Sequence, residues 1–446
     1  MFKMLAYCLG IIVFGFALLF GCSPYMKGSR HLENKNYEAA IESFQDELAQ
    51  NPDNWKARQQ LGYAYIKTGQ LDQAISEFKL VLGQDPKDYP YSTAFGYAPQ
   101  KFERMPGQKP GDPLSTYYLG LAYLHNGQRT EAIETWRSYQ DSERPTVEQE
   151  IKKQITLVEI SDSIHYAKRA LAEEEKLKTL PPRPGTVAVF YFKDVSKDNS
   201  LRHFQKAMAT MIISDLSQVE SLLVLERTRI QFLLTEMELG QTGIVDKSTA
   251  PRAGRLLGAE NLIVGTMEPR SLHVQANVAS TESEDIVGTV AAGAEIEEFY
   301  ILEKEIVYNI LKLLKVEFTP EEEKKISQYH TKNLQAVVYF GQGLEALDLG
   351  EWKKAKAFFN QAVEEDPDFK LASLYREACP ASTAPNNSEL SAMSSAELAE
   401  SVEISIDKAS EMDAQIAKSE YGGSSSNISK HDESIVGTTG SISISW

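Results

Sequence analysis

Tyr37, Ala40, Phe44 and Pro52 return 34 positions later as Leu71, Ala74, Phe78 and Pro86, and Gly28 returns as Gly62. A fixed period constrains this chain more than its composition does. Each copy must be one supersecondary unit that buries its apolar face only by stacking on its neighbours. The residue types suit two antiparallel helices per copy. Glycine and alanine let the helices approach, aromatic residues fill the space between them, and Pro52 and Pro86 stop the second helix. A third copy opens near Leu114 and carries Gly120, Tyr123, Gly127, Ala132 and Trp136. The interval from Gly62 to Gly120 exceeds one period by 24 residues, so an insertion spanning 89–113 is expected there as a surface loop. Trp352, Ala355, Phe359 and Pro367 repeat the spacing of Tyr37, Ala40, Phe44 and Pro52, with Gly343 and Gly350 standing where Gly62 and Gly69 stand. That makes a fourth copy, far downstream.

The period and residue types resemble the tetratricopeptide repeat. The resemblance implies a stack with a concave groove that binds peptides or partner proteins. By matching positions, the groove residues would be Gln59, Tyr63, Lys67, Tyr117, Leu121 and His125, with packing between neighbouring repeats as the competing role for some of them.

The N-terminus reads as an export signal. Lys3 precedes an apolar run from Leu5 to Phe20 that ends in Leu19-Phe20-Gly21-Cys22. Sixteen residues are short for a permanent span, which needs about 20, and suit a signal peptide over 1–21. The ending resembles the bacterial lipobox, although Phe20 is bulkier than the usual occupant. The resemblance implies that Cys22 is lipidated and that its acyl chains hold the mature protein on a membrane. Ser23, where an Asp would favour inner-membrane retention, then implies the periplasmic face of the outer membrane. An uncleaved short anchor is the competing reading.

Between the third and fourth copies the periodicity changes. After a helical linker over 146–185 that ends in a stiff Pro181-Pro182-Arg183-Pro184-Gly185 hinge, strands are expected over Thr186–Phe192, Leu222–Leu225 and Asn261–Met267. Helices are expected over Leu201–Ser217, Thr228–Glu238, Ser248–Leu257 and Phe299–Val316, and a hairpin over Leu272–Ser280 and Asp285–Glu297. Intermixed helices and strands make an α/β sandwich over 186–318. Glu226-Arg227, Leu239 to Gly243, Leu256 to Ala259 and Val264-Gly265 resemble the curli-assembly component (CsgG-like) family. That family forms a pore with long membrane hairpins, and the resemblance implies oligomerisation through this domain. Here Glu268 to Ser271 and Thr281 to Glu284 leave no room for them, since a spanning strand needs about 9–11 residues. The expected fold class is therefore α + α/β: tetratricopeptide helical repeats, including C-terminal repeat-like helices over 319–372, plus a CsgG-like sandwich without membrane hairpins. The stretch 373–446 reads as a polar, mostly disordered tail, within which Ser395 to Glu420 could form a polar helix.

The net charge of −17 argues against nucleic acid as a partner. Cys8 falls in the export signal and Cys379 stands alone, so neither a disulfide framework nor a thiolate metal site is expected. There is no phosphate loop, no GxSxG elbow and no HExxH. Gly341-Gln342-Gly343 lies inside a repeat helix, Glu321 to Glu323 read as helix-cap acids, and Glu226-Arg227 as a local ion pair or turn. No catalytic, cofactor or metal site is expected. The function implied is a lipid-anchored, non-enzymatic scaffold of envelope assembly or secretion with protein partners in its groove. The alternative is an activator that binds a cell-wall synthase or a flagellar or envelope machine.

Overall fold

The computed structural model describes residues 23–84, 111–139, 145–196, 201–237, 249–268 and 272–403. The chain divides into two compact units, which hold, among the described residues, 23–151 with 393–403 and 152–392. Cys22, most of the insertion at 89–113, Leu239 to Gly243 and the tail beyond Glu403 lie outside the described residues.

The first unit stacks three helix pairs: α1 (Pro24–Glu33) with α2 (Tyr37–Gln50), α3 (Trp55–Lys67) with α4 (Leu71–Leu82), and α5 (Pro113–His125) with α6 (Arg129–Arg137). The same local chemistry recurs in each pair. Asn36, Asn54 and Asp112 cap α2, α3 and α5 by accepting the backbone N–H three residues on. The turn between paired helices is left-handed at Gly69 and Gly127, a conformation that costs glycine nothing. A Cβ at Gly28, Gly62 or Gly120 would stand 2.5, 2.8 or 2.3 Å from the ring of Phe44, Phe78 or Trp136 respectively. Each glycine lies sixteen positions before its aromatic partner, so one small–large contact builds every pair. Two further helices contribute: the first turns of α7 (Pro145–Ala172), and a late helix introduced below.

The second unit is built on a six-stranded sheet in the order β3-β1-β4-β5-β6, with β2 also paired to β4. The strands are β1 (Arg183–Val189), β2 (Lys193–Asp194), β3 (Leu223–Val224), β4 (Ala259–Glu268), β5 (Leu272–Ser280) and β6 (Ile286–Ala294). β1 runs parallel to β3 and β4, while β4, β5 and β6 are antiparallel. The sequence follows this division. The end of β1 is a continuous buried run, as a covered parallel strand must be, whereas β5 alternates with Leu272, Val274, Ala276 and Val278 inside. After the four-residue α8 (Glu174–Leu177), helices α9 (Arg202–Leu216), α10 (Arg227–Glu236), α11 (Ala250–Leu257) and α12 (Phe299–Leu313) complete the sandwich, and α9, α11 and α12 pack on the sheet.

The fourth repeat belongs to this second unit. Helix α13 (Pro320–Ile326) leads, behind a capping box between Thr319 and Glu322, into α14 (Leu334–Asp348), α15 (Trp352–Glu365) and α16 (Lys370–Ala378). Gly343 meets Phe359 as Gly62 meets Phe78, and α14 lies against α9.

Two expectations need correction. Arg183 to Gly185, read as hinge, opens β1: Arg183 N–H donates to the Gly258 carbonyl at 3.1 Å, and Gly185 N–H to the Glu260 carboxylate at 2.6 Å. Pairing with β4 satisfies a backbone that a free hinge would leave to water. The polar stretch from 373 holds the rest of α16, then α17 (Asn387–Ala392) and α18 (Ser395–Val402). Tyr375, Leu390, Leu398, Ala399 and Val402 are buried, so a low apolar content is enough when a few such residues find a surface to cover. Cys379 is buried there with its thiol on the Trp352 carbonyl, and burial pushes its pKa up to about 11, which keeps it protonated.

Candidate partner-binding site

The six residues matched to a groove all lie on the first helices of repeats two and three, α3 and α5, at successive helical turns. Gln59, Tyr63 and Lys67 are four apart, as are Tyr117, Leu121 and His125, so each set forms one stripe. Gln59 is spent between repeats: its amide donates to Asp112 at 2.6 Å and to Ser115 Oγ at 2.8 Å. The Tyr63 ring lies 5.1 Å from that of Tyr118, and the Tyr117 ring stacks on Trp136 at 6.2 Å. Trp136 Nε1 donates to the Tyr117 carbonyl at 2.8 Å, which ties α6 to the floor of the stripe.

The polar ends of these side chains meet α18 of the same chain. The Tyr63 hydroxyl donates to Glu403 at 3.3 Å, and Lys67 Nζ pairs with the other carboxylate oxygen of Glu403 at 2.7 Å. Lys67 also stands 5.6 Å over the Tyr63 ring. The Tyr117 hydroxyl donates to the Val402 carbonyl at 3.4 Å, and Arg129 Nε to Ser395 Oγ at 3.1 Å. Helix α18 lies along α5, where Leu121 is fully buried. Half-buried His125 has its pKa lowered, chiefly by desolvation, with Glu403 opposing and Lys67 reinforcing the shift. The structure thus brings Tyr63, Lys67 and Tyr117 together on one bound segment and assigns Gln59 to packing between repeats. Glu403, Val402 and Arg129 were not anticipated. The available signal was Ser394 with Glu397, a capping box announcing a helix inside the polar tail.

Two buried charge clusters occupy the second unit. In the first, Asp348 accepts from Arg227 Nη1 at 2.6 Å and from Lys206 Nζ at 2.7 Å, and Arg227 Nη1 also donates to the Tyr191 hydroxyl at 2.8 Å. Arg227, read with Glu226 as a local ion pair or turn, makes this long-range pair. Glu226 sits at the N-cap of α10, in extended backbone, and Arg227 points inward to α14. In the second, Asp215, Glu303 and His330 bring three potential ligand atoms within 4.8 Å of one another. Lys304 takes the cation's place: its ammonium pairs with Asp215 and, at 3.2 Å, with Glu303. Burial, reinforced by the Asp215 charge, pushes Glu303 up to about 8, and burial pulls His330 down to about 4.

Comparison with known proteins agrees with the two architectures. Residues 31–94, 115–143 and 336–369 match families described as Tetratricopeptide repeat. Residues 170–268 match the family described as Curli production assembly/transport component CsgG. The chain therefore holds tetratricopeptide repeats and a segment similar to the CsgG family, and the β5–β6 hairpin and α12 lie beyond that matched segment. Among solved structures, the crystal structure of a tetratricopeptide repeat protein from Parabacteroides merdae is similar at 12% identity and a TM-score of 0.23, covering 80% of this chain and 97% of that one. No curated protein matches the chain.

Proposed function

We propose that this protein is a lipid-anchored scaffold of the bacterial envelope, held on the periplasmic face of the outer membrane through Cys22, and that its repeat groove grips a partner protein. One observation carries the reading: the stripe Tyr63, Lys67, Tyr117 presents two hydroxyls and an ammonium that already hold a peptide helix. This is helix-in-groove recognition, in which apolar anchors supply affinity and polar groups fix register. The CsgG-like domain supports an envelope setting and a role in assembly or secretion, with self-association as its contribution. The lipobox at the end of a short apolar run supports the anchor.

The test is cross-linking in envelope preparations, comparing the unsubstituted chain with Lys67→Glu and Tyr117→Phe. A partner held by the groove should lose at least tenfold in cross-linked yield with Lys67→Glu, while the CsgG-like domain stays folded. Equal yields from all three chains would remove the groove from the function.

A further inference from the structure

Residues 393–403 lie in the same compact unit as repeats two and three, although Glu403 is 336 positions from Lys67. Their fit has three separable parts. Leu398, Ala399 and Val402 form one helical stripe and are all buried, whereas their neighbours Glu397, Glu400 and Ser401 are exposed. The last turn of a helix leaves carbonyls without intrahelical partners, and the Tyr117 hydroxyl supplies a donor to one of them, that of Val402. One residue past the helix, the Glu403 carboxylate enters the space between the Tyr63 hydroxyl and the Lys67 ammonium, where its side chain keeps only 10% exposure. A charge-assisted bond at a half-buried lysine discriminates strongly, because a partner lacking the carboxylate leaves that lysine unpaired.

We infer that the groove selects a short amphipathic helix with a small apolar stripe and a carboxylate just beyond its last turn, and that the chain's own segment Ser394 to Glu403 is the resident competitor for it. A partner segment of the same chemistry must displace α18 before it binds. The inference rests on the groove being the partner site and adds what the groove reads and how access to it is regulated. Tethering makes the competition stringent: a linked segment acts at an effective concentration of the order of mM, so a partner in trans binds only if it is tighter or if the tail is released.

The probe is a fluorescent synthetic peptide spanning residues 393–405, read by anisotropy against the full chain. Chain carrying Leu398→Asp, which ejects its own α18, should bind the peptide at least tenfold more tightly than unsubstituted chain. A Glu403→Lys peptide should bind the opened chain at least tenfold more weakly. Adding Lys67→Glu to the opened chain should reverse that order of preference. Should Leu398→Asp cost the chain its helical circular dichroism, Glu403→Lys in the full chain replaces it with the same expectation. Equal peptide affinity for closed and opened chains overturns the inference, as does a preference for Glu403 that survives Lys67→Glu. If the peptide binds neither chain while partner cross-linking still depends on Lys67, the tail mechanism fails and the scaffold function stands.

Discussion

Asp348, at the last turn of α14, accepts a 2.6 Å hydrogen bond from Arg227, the first residue of α10, so a repeat helix and the α/β sandwich share one buried ion pair. Lys206 joins them from α9, which makes a single carboxylate answer two buried cations. Removing it leaves both uncompensated. Asp348→Asn should destabilise the second unit by about 3–5 kcal/mol, read as a lower urea midpoint with an unchanged slope. Arg227→Met combined with Asp348→Leu should cost less than Asp348→Asn, because the double change removes charges in pairs and leaves fewer groups unpaired.

Gly341 tests the seam between α14 and α9. A Cβ there would come 1.9 Å from the His203 carbonyl oxygen, which is backbone and cannot turn aside. Gly341→Ala should cost about 1–3 kcal/mol through forced separation of the helices and loosen the fourth repeat from the sandwich. Gly120→Ala is its counterpart in the first unit, where the added methyl would meet the Trp136 ring and disturb its hydrogen bond to Tyr117. Differential scanning calorimetry on the two variants should show each lowering a different transition.

The Asp215–Glu303–Lys304–His330 cluster makes stability depend on pH. Folding raises Glu303 from an ordinary carboxylate to about 8, so between those limits the folded state holds a proton that the unfolded chain has released, and stability falls as pH rises. Asp215, raised to about 6, and His330, lowered to about 4 from the ordinary imidazole value, act in opposite directions, and both fade only above about pH 7.5. From about pH 6.5 to 8 the Glu303 contribution is isolated as the difference between the unsubstituted protein and a variant that lacks this carboxyl. Glu303→Gln should abolish that slope, of at most about 1.4 kcal/mol per pH unit. Urea titrations at pH 6.5, 7.2 and 8 should show the variant gaining on the unsubstituted protein as pH rises.

Cys22→Ala should leave an uncleaved precursor that incorporates no labelled fatty acid. Normal labelling and processing of that variant would remove the lipid anchor from the proposed function.

Local pattern decided a large part of this molecule. The 34-residue period locates each helix pair because Gly62 needs Phe78, and Gly120 needs Trp136, at a fixed interval along the chain. The change to short apolar runs marks the strands, since the end of β1 is buried throughout and β5 alternates. Gly258 ends α11 in a left-handed turn, as a glycine in that place must. All these are short-range constraints, so the order of residues suffices to express them. What depends on distant residues meeting was decided only in three dimensions. Arg227 reads locally as a partner of Glu226, but it turns inward because Asp348 waits 121 positions away. The segment beyond 393 reads as a polar helix from Ser395 within a tail, with no sign of a docking face, because three buried side chains in eight residues carry little weight as a pattern. It becomes ordered because Tyr63, Lys67, Tyr117 and Arg129 present donors where its acceptors fall. Hydrogen bonds and ion pairs between remote residues leave no period in a sequence, so the repeats could be counted from it and a helix beginning at Ser395 expected, but not the surface which that helix covers.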